Sequence, residues 1–495
     1  MKMNEMRKSR AAGRAMRTVK FVMLGFALAL AGCTTNPATG KSQLATLMSP
    51  ADEAQAGADA HPKIVAAYGG IYNDARVGQY VANVTARIGK ASDSPGMNYR
   101  VTVLNSPVVN AFALPGGYVY VTRGLLALVD DEAELAGVLG HEIGHVIARH
   151  GAQRQTAALG ASVIGAVLGA VVGNQALNQA VGLGGQGLLA GYSRDQEYEA
   201  DALGVRYLSK AGYDPYAQAD FLVTMEEQSK LQALVMGQKY EDATNWLASH
   251  PATPERVAAA RRHAADTGAI RGAGERDRNK LMRAIDGIIY GDSPDQGIVR
   301  GRTFVHPVER IRFEAPPQFT IVNGAEAVLV QGPDKTVAKF DSGAKSPTVD
   351  IVTYLTRVWA SGIQLSQVER FTVNGMAAAS ATTKIGAYNG RLVAIEAEPG
   401  KVYRFLMGTM PQTGTRYERA LRDLVMSFKR LSVAEARAIK PLHIRVVTAK
   451  SGDTAATLAA RMAYPDYRVE RFRTLNGLAA GEALKAGTLY KIIAQ

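Results

Sequence analysis

The segment His141-Glu142-Ile143-Gly144-His145 constrains this chain more than any other. Two histidines four residues apart on a helix lie on one face, a turn apart, with both imidazoles aimed at one point. That is the geometry for holding one Zn²⁺ through two nitrogens, and Glu142 stands where it can take a proton from a metal-held water. The flanks predict a helix. Asp130 or Asp131 can cap its start, Glu132 and Glu134 suit its first turn, and Arg149 and His150 suit its last turn before Gly151. Leu135, Val138, Leu139 and Val146 fall at helical spacing. The alternative, three polar residues that happen to share a helix, leaves them in an apolar setting with nothing to satisfy them. Only eight histidines occur in 495 residues, so chance placement is a poor explanation.

The length allows about three domains, and 47% apolar residues fit globular folding. The formal charge is +13, of which +6 lies in residues 1–32, leaving +7 for the remainder. That mild excess fits a protein near anionic lipid or cell wall, and no nucleic-acid module is visible, so nucleic acid is not expected as a partner. Residues 1–20 are basic, Phe21 to Ala31 is an apolar run, and Leu30-Ala31-Gly32-Cys33 follows. This reads as a secretory signal, too short to remain as a membrane span. Its last four residues resemble the lipobox of bacterial lipoproteins, which implies cleavage before Cys33, lipidation there, and attachment to a membrane. Thr34 points by the same resemblance to the periplasmic side of the outer membrane rather than the inner one. A single cysteine can form no internal disulfide in an exported protein, which agrees with its acylation.

Zinc needs a third protein ligand and an open position. His150 lies about 140° round a continuous helix from His145 and is rejected as a ligand; its expected role is a cation at the helix C-terminus. Ser193 to Asp201 offers more. Ser193 with Gln196 makes a capping box for a helix running to about Ala211 and ending at Gly212. On that helix Glu197 and Asp201 share a face, so Glu197 can bind metal while Asp201 orients a ligand imidazole. Asp195 and Glu199 are read as complements to the helix dipole. Ahead of the zinc helix, Asn110-Ala111-Phe112 leads into the Pro115-Gly116-Gly117 turn and Tyr118 to Val121. This is a tight strand reversal, whose edge could accept a peptide as an added strand or serve structure alone.

With these segments in order, the chain resembles the BepA, HtpX and Ste-like group of zinc metallopeptidases, in its periplasmic lipoprotein branch. The matching residues are His141 to His145, Ser193 to Asp201, Asn36-Pro37-Ala38-Thr39-Gly40, Asn110 to Gly117, and Ser249-His250-Pro251 to Arg256. The resemblance covers about residues 33 to 265. It implies one zinc per chain on His141, His145 and Glu197, with Glu142 as general base. It also implies that His250 either occupies the open metal position as a latch or stabilises the transition state.

The expected fold is α+β. A mainly helical zincin-type metalloprotease domain with a small β-sheet spans 33–275, after the signal at 1–32. A small α+β domain of unassigned role follows at 276–438. Residues 439–495 resemble a LysM module, a βααβ fold that binds peptidoglycan, through Val447, Gly452 to Thr454, Leu458, Leu475 to Gly477 and Leu489. That module could bind glycan or persist as structure alone. Between the metal helices, 157–172 is a Gly/Ala-rich packed cover, and 182–191 is a candidate gate. The function expected is a membrane-anchored periplasmic zinc endopeptidase that cleaves misfolded or stalled envelope proteins. The alternative is a peptidoglycan-associated chaperone or assembly scaffold with a latent protease site.

Overall fold

The computed structural model describes residues 33–36, 38–40, 42–44, 48–154, 191–237, 250 and 253–495. The signal at 1–32, the cover at 157–172 and nearly all of the gate at 182–191 lie outside the described residues. Among the described residues no helix is long and apolar enough to cross a membrane.

A short hairpin pairs β1 (Cys33–Thr35) with β2 (Ser42–Leu44). Helix α1 (Pro50–Ala67) starts from a Ser49–Asp52 capping box, and α2 (Ala75–Ala91) is capped by Asp74. Three strands follow: β3 (Arg100–Leu104), β4 (Ala111–Leu114) and β5 (Tyr118–Thr122). β5 is central, parallel to β3 and antiparallel to β4. The β4–β5 reversal uses Gly116 and Gly117, both with φ near +83°, where a Cβ would also strike Ala54 or the Asn98 carbonyl.

The short helix α3 (Arg123–Leu128) leads to the histidine helix α4 (Glu132–Ile147), capped by Asp131 and buried almost throughout. Its neighbour α5 (Arg194–Lys210) starts from the Ser193–Gln196 capping box and stops at Gly212, φ +83°. The two helices cross at small residues. A Cβ on Gly204 would come within 3.0 Å of the His141 nitrogen, and one on Gly144 within 3.3 Å of the Ala200 carbonyl. Only glycines let the backbones approach this closely, and the approach brings Glu197 to the histidines. Helices α6 (Ala217–Met236) and α7 (Pro254–Asp266) pack around this pair, and α8 (Arg278–Ile285) closes the domain.

Next, β6 (Ile289–Tyr290) leads into an antiparallel assembly: β7 (Ile298–Arg300), β8 (Thr303–His306), β9 (Ile311–Glu314), β10 (Thr320–Asn323), β11 (Val328–Gln331) and β12 (Val337–Ala344). Ile351–Thr353 passes directly into a π-helical turn, Tyr354–Trp359. Then come β13 (Ser366–Val373), β14 (Met376–Ile385), β15 (Tyr388–Glu398), β16 (Lys401–Thr409), α9 (Gly414–Met426) and β17 (Lys429–Arg430). The seven-stranded order is β10-β11-β12-β16-β15-β14-β13, and the four-stranded order is β17-β9-β8-β7. Phe304, Phe313, Phe340, Phe405 and Phe428 fill the core between the sheets and α9.

The chain ends as β18 (Leu442–Thr448), α11 (Ala455–Ala459), α12 (Arg468–Leu475) and β19 (Leu489–Ala494), after a single-turn α10 (Val433–Ala438). This βααβ unit does not stand apart. β6 adds to β18 as a third strand, and Ile444, Leu458, Phe472, Tyr490 and Ile492 share one buried core with Leu125 to Val129, Leu139 and Ile285. The buried Lys491 ammonium donates to the carbonyls of Ala127, Leu128 and Val129 at 3.1, 2.9 and 2.8 Å. The core therefore runs straight across the boundaries expected at 275/276 and 438/439.

Candidate metal centre

Helix α4 presents His141 and His145 on one face, with their Nε2 atoms 3.0 Å apart. Glu197 on α5 places Oε2 at 3.5 Å from His141 Nε2 and Oε1 at 3.5 Å from His145 Nε2. A tetrahedral zinc with bonds of about 2.0–2.1 Å sets its donors roughly 3.3–3.4 Å apart, so the spacing suits such an ion. His250 completes a buried group of four donors, its Nδ1 lying 3.4 Å from His141 Nε2 and 2.9 Å from Glu197 Oε1. Glu142 is fully buried, yet neither of its carboxylate oxygens has a hydrogen-bond partner among the described residues. Such a group costs stability unless something polar fills the space before it, which a metal-held water would do. The residues fit the ion.

Around the donors lies a second layer of contacts. Asp201 approaches His141 Nδ1 at 2.9 Å and also accepts from Gln218 at 3.0 Å. Arg256, at the start of α7, forks onto both Asp201 oxygens at 2.8 Å and reaches Glu197 Oε2 at 2.8 Å. Tyr192 stacks on the His145 ring, with centroids 3.8 Å apart. Burial raises the Glu142 carboxyl, with His250 and His141 opposing. Burial alone would lower His141, but the Asp201, Glu197 and Glu142 carboxylates together outweigh it and the net shift is upward. His145 is pushed well below the usual histidine value by burial, so it is neutral and ready to ligate. For Glu197 burial works upward, but His250 and His145 hold the group well below the usual carboxylate range.

The structure thus brings together His141, Glu142, His145, Glu197, Asp201 and His250. His150 requires a correction. Helix α4 does not run to Gly151: it ends at Ile147, Ala148 caps it, and Arg149 takes φ +58°. The chain is helical again from His150, after this left-handed residue, so the 140° offset of a continuous helix does not apply. His150 is not among the clustered donors, and it lies inside the molecule rather than at an open helix end. It is fully buried, with Nδ1 2.8 Å from His145 Nδ1 and Nε2 3.1 Å from Glu199. Glu199 accordingly serves His150 rather than the helix dipole alone.

Asn110 immediately precedes β4, which Ala111 and Phe112 open and against which α4 packs. Asn110 donates to the Tyr68 hydroxyl at 3.1 Å, Ala111 is fully buried, and Phe112 stacks on Tyr120 with centroids 4.9 Å apart. Their side chains are committed inward, so β4 offers a ligand its backbone edge, which is unpaired among the described residues. Cys33 opens β1. Sequence reasoning missed Arg256 as a contact of both acids, and Tyr192, Gln218 and the His150–Glu199 pair. A basic residue six positions after His250, on the next helix, was a usable signal for the first; Tyr192 carried none.

Residues 75–264 match Peptidase family M48. The mitochondrial metalloendopeptidase OMA1 of Arabidopsis thaliana is 36% identical over 161 residues, covering 32% of this chain and 30% of its own. OMA1 of Schizosaccharomyces pombe is 31% identical over 180 residues, 36% of this chain and 50% of its own. The beta-barrel assembly-enhancing protease of Yersinia pestis is 30% identical over 237 residues, 46% of this chain and 47% of its own. The chain spans half or less of the length of these relatives. Over residues 75–264, the chain thus matches the metallopeptidase family M48 and is similar to the OMA1 metalloendopeptidases and the beta-barrel assembly-enhancing proteases.

Proposed function

We propose that this protein is a zinc-dependent endopeptidase, anchored through Cys33 to the periplasmic side of the outer membrane, that cleaves misfolded or stalled envelope proteins. The observation that carries the chemistry is the buried convergence of His141, His145 and Glu197 beside Glu142, whose carboxylate oxygens accept no hydrogen bond among the described residues. The substrate class follows the relatives named for β-barrel assembly.

Zinc bound there supplies Lewis acidity to a water and to the scissile carbonyl. Glu142 takes a proton on a carboxylate oxygen and returns it to the leaving amine, and its burial raises its proton affinity for that task. The Asp201 carboxylate, 2.9 Å from His141 Nδ1, favours the proton on that nitrogen, which leaves the Nε2 lone pair facing the donor cluster. Arg256 balances the two carboxylates that flank that histidine. A peptide added along β4 would run beside the zinc helix, a strand-addition mode that suits unfolded chains.

His250 favours a second reading. Its Nδ1 sits within the donor group, where it would occupy the position a substrate needs. A latch of this kind suits a peptidoglycan-associated chaperone or scaffold whose protease stays latent. The ligand assignment is tested by His145→Ala and Glu197→Ala: each loses zinc and turnover of an unfolded reporter protein together. Zinc content unchanged in either variant contradicts the proposed ligand set.

A further inference from the structure

The segment just after Cys33 makes contacts that a passive tether does not need. Asn36 is buried, and its Oδ1 accepts from the backbone nitrogens of Ala38 and Thr39 at 2.8 and 3.3 Å. Gly40 closes the turn by donating to the Asn36 carbonyl at 2.9 Å, with φ +69°. This local turn turns the Asn36 amide and the Thr39 hydroxyl towards α5. Both donate to Glu199 Oε1, at 3.0 and 2.7 Å. The other Glu199 oxygen is 3.1 Å from His150 Nε2, and His150 Nδ1 is 2.8 Å from His145 Nδ1.

Donor and acceptor roles along this path are fixed once His145 ligates through Nε2. Its Nδ1 then carries the proton and donates to His150 Nδ1. His150 must therefore hold its own proton on Nε2, which donates to the Glu199 carboxylate. Glu199 accepts at both ends, from His150 on one oxygen and from Asn36 and Thr39 on the other. No link has two donors or two acceptors facing each other.

We propose that Asn36 and Thr39 are positioning residues for the metal ligand His145, acting through Glu199 and His150. The residues that begin three positions after Cys33 are then part of the support of the metal site, and their loss loosens the grip of that site on zinc. The inference rests on His145 being a ligand. Partners at this remove from a metal typically change its affinity 10- to 100-fold.

The test uses the full chain and zinc itself, with zinc affinity and release rate read by competition with a chromogenic chelator. Glu199→Gln keeps the shape and removes the charge, and the pair Asn36→Ala with Thr39→Val removes both donors. Each is expected to weaken zinc binding about tenfold or more, while Thr39→Ser, which keeps the hydroxyl, stays within about twofold of wild type. Melting of the metal-free protein is recorded alongside, because a purely structural role lowers that value and leaves zinc affinity of the folded protein alone. Wild-type affinity in Glu199→Gln and in the double variant, with His145→Ala losing zinc, overturns the inference. Zinc retained in His145→Ala overturns the ligand reading beneath it.

Discussion

Replacing Arg256 by methionine isolates what the arginine does for the two acids of the site. Arg256 is 3% exposed and makes three contacts of 2.8 Å, two to Asp201 and one to Glu197. Methionine keeps most of the volume and removes the charge. Asp201 still accepts from Gln218 and faces His141, but two buried carboxylates lose their shared cation. Removing one partner of a buried pair costs about 3–5 kcal/mol, because the charge left behind is uncompensated. The pH dependence follows from Asp201. Burial works to raise its pKa, Arg256 is the largest opposing influence, and the net value lies below the usual aspartate range. Its stabilising contribution is therefore complete above the unfolded pKa and is lost as pH falls through the lower folded one. In the variant the Asp201 pKa rises, so wild type and variant converge on acidification. Urea unfolding of the chelator-treated full chain, followed by circular dichroism at pH 7 and pH 4, reads both effects. A gap below about 1 kcal/mol at pH 7, or one that fails to narrow by pH 4, refutes the reasoning.

Two further outcomes follow from the same geometry. His250→Ala frees the fourth donor position, so turnover of an unfolded substrate rises at least about tenfold, the factor equivalent to 1.4 kcal/mol, with zinc retained; a fall in turnover assigns His250 to the transition state instead. Lys491→Met leaves the Ala127, Leu128 and Val129 carbonyls without their donor, and the chain loses about 3 kcal/mol of unfolding free energy. A loss below about 1 kcal/mol would mean that the C-terminal unit and α3 are not energetically joined.

The parts of the site legible in the sequence depend on helical spacing and caps. His141 and His145, and likewise Glu197 and Asp201, needed only the four-residue repeat, and Ser193 with Gln196 marked the start of α5. His150 was misread because Arg149, a residue with a Cβ, adopts a left-handed conformation that local preference disfavours. Distant partners hold it there: Arg149 bonds Glu53 at 2.5 and 2.8 Å and the Met48 carbonyl at 2.6 Å. Strand β14 is hard to read in the sequence for a related reason. Its Met376 to Ala381 stretch is rich in alanine, a helix former, and becomes strand because β13 and β15 pair with it on both sides. The joining of β18–β19 to the peptidase core was not readable, since contacts such as Lys491 to Ala127 span 364 positions.

The most direct test of the central claim compares Glu142→Gln with wild type, measuring zinc content and cleavage of an unfolded protein on the same samples. Glutamine keeps the shape of Glu142 and cannot accept the proton, and Glu142 is not among the clustered donors. The account predicts zinc unchanged and cleavage reduced by at least about 100-fold. Cleavage that persists in the variant would contradict it.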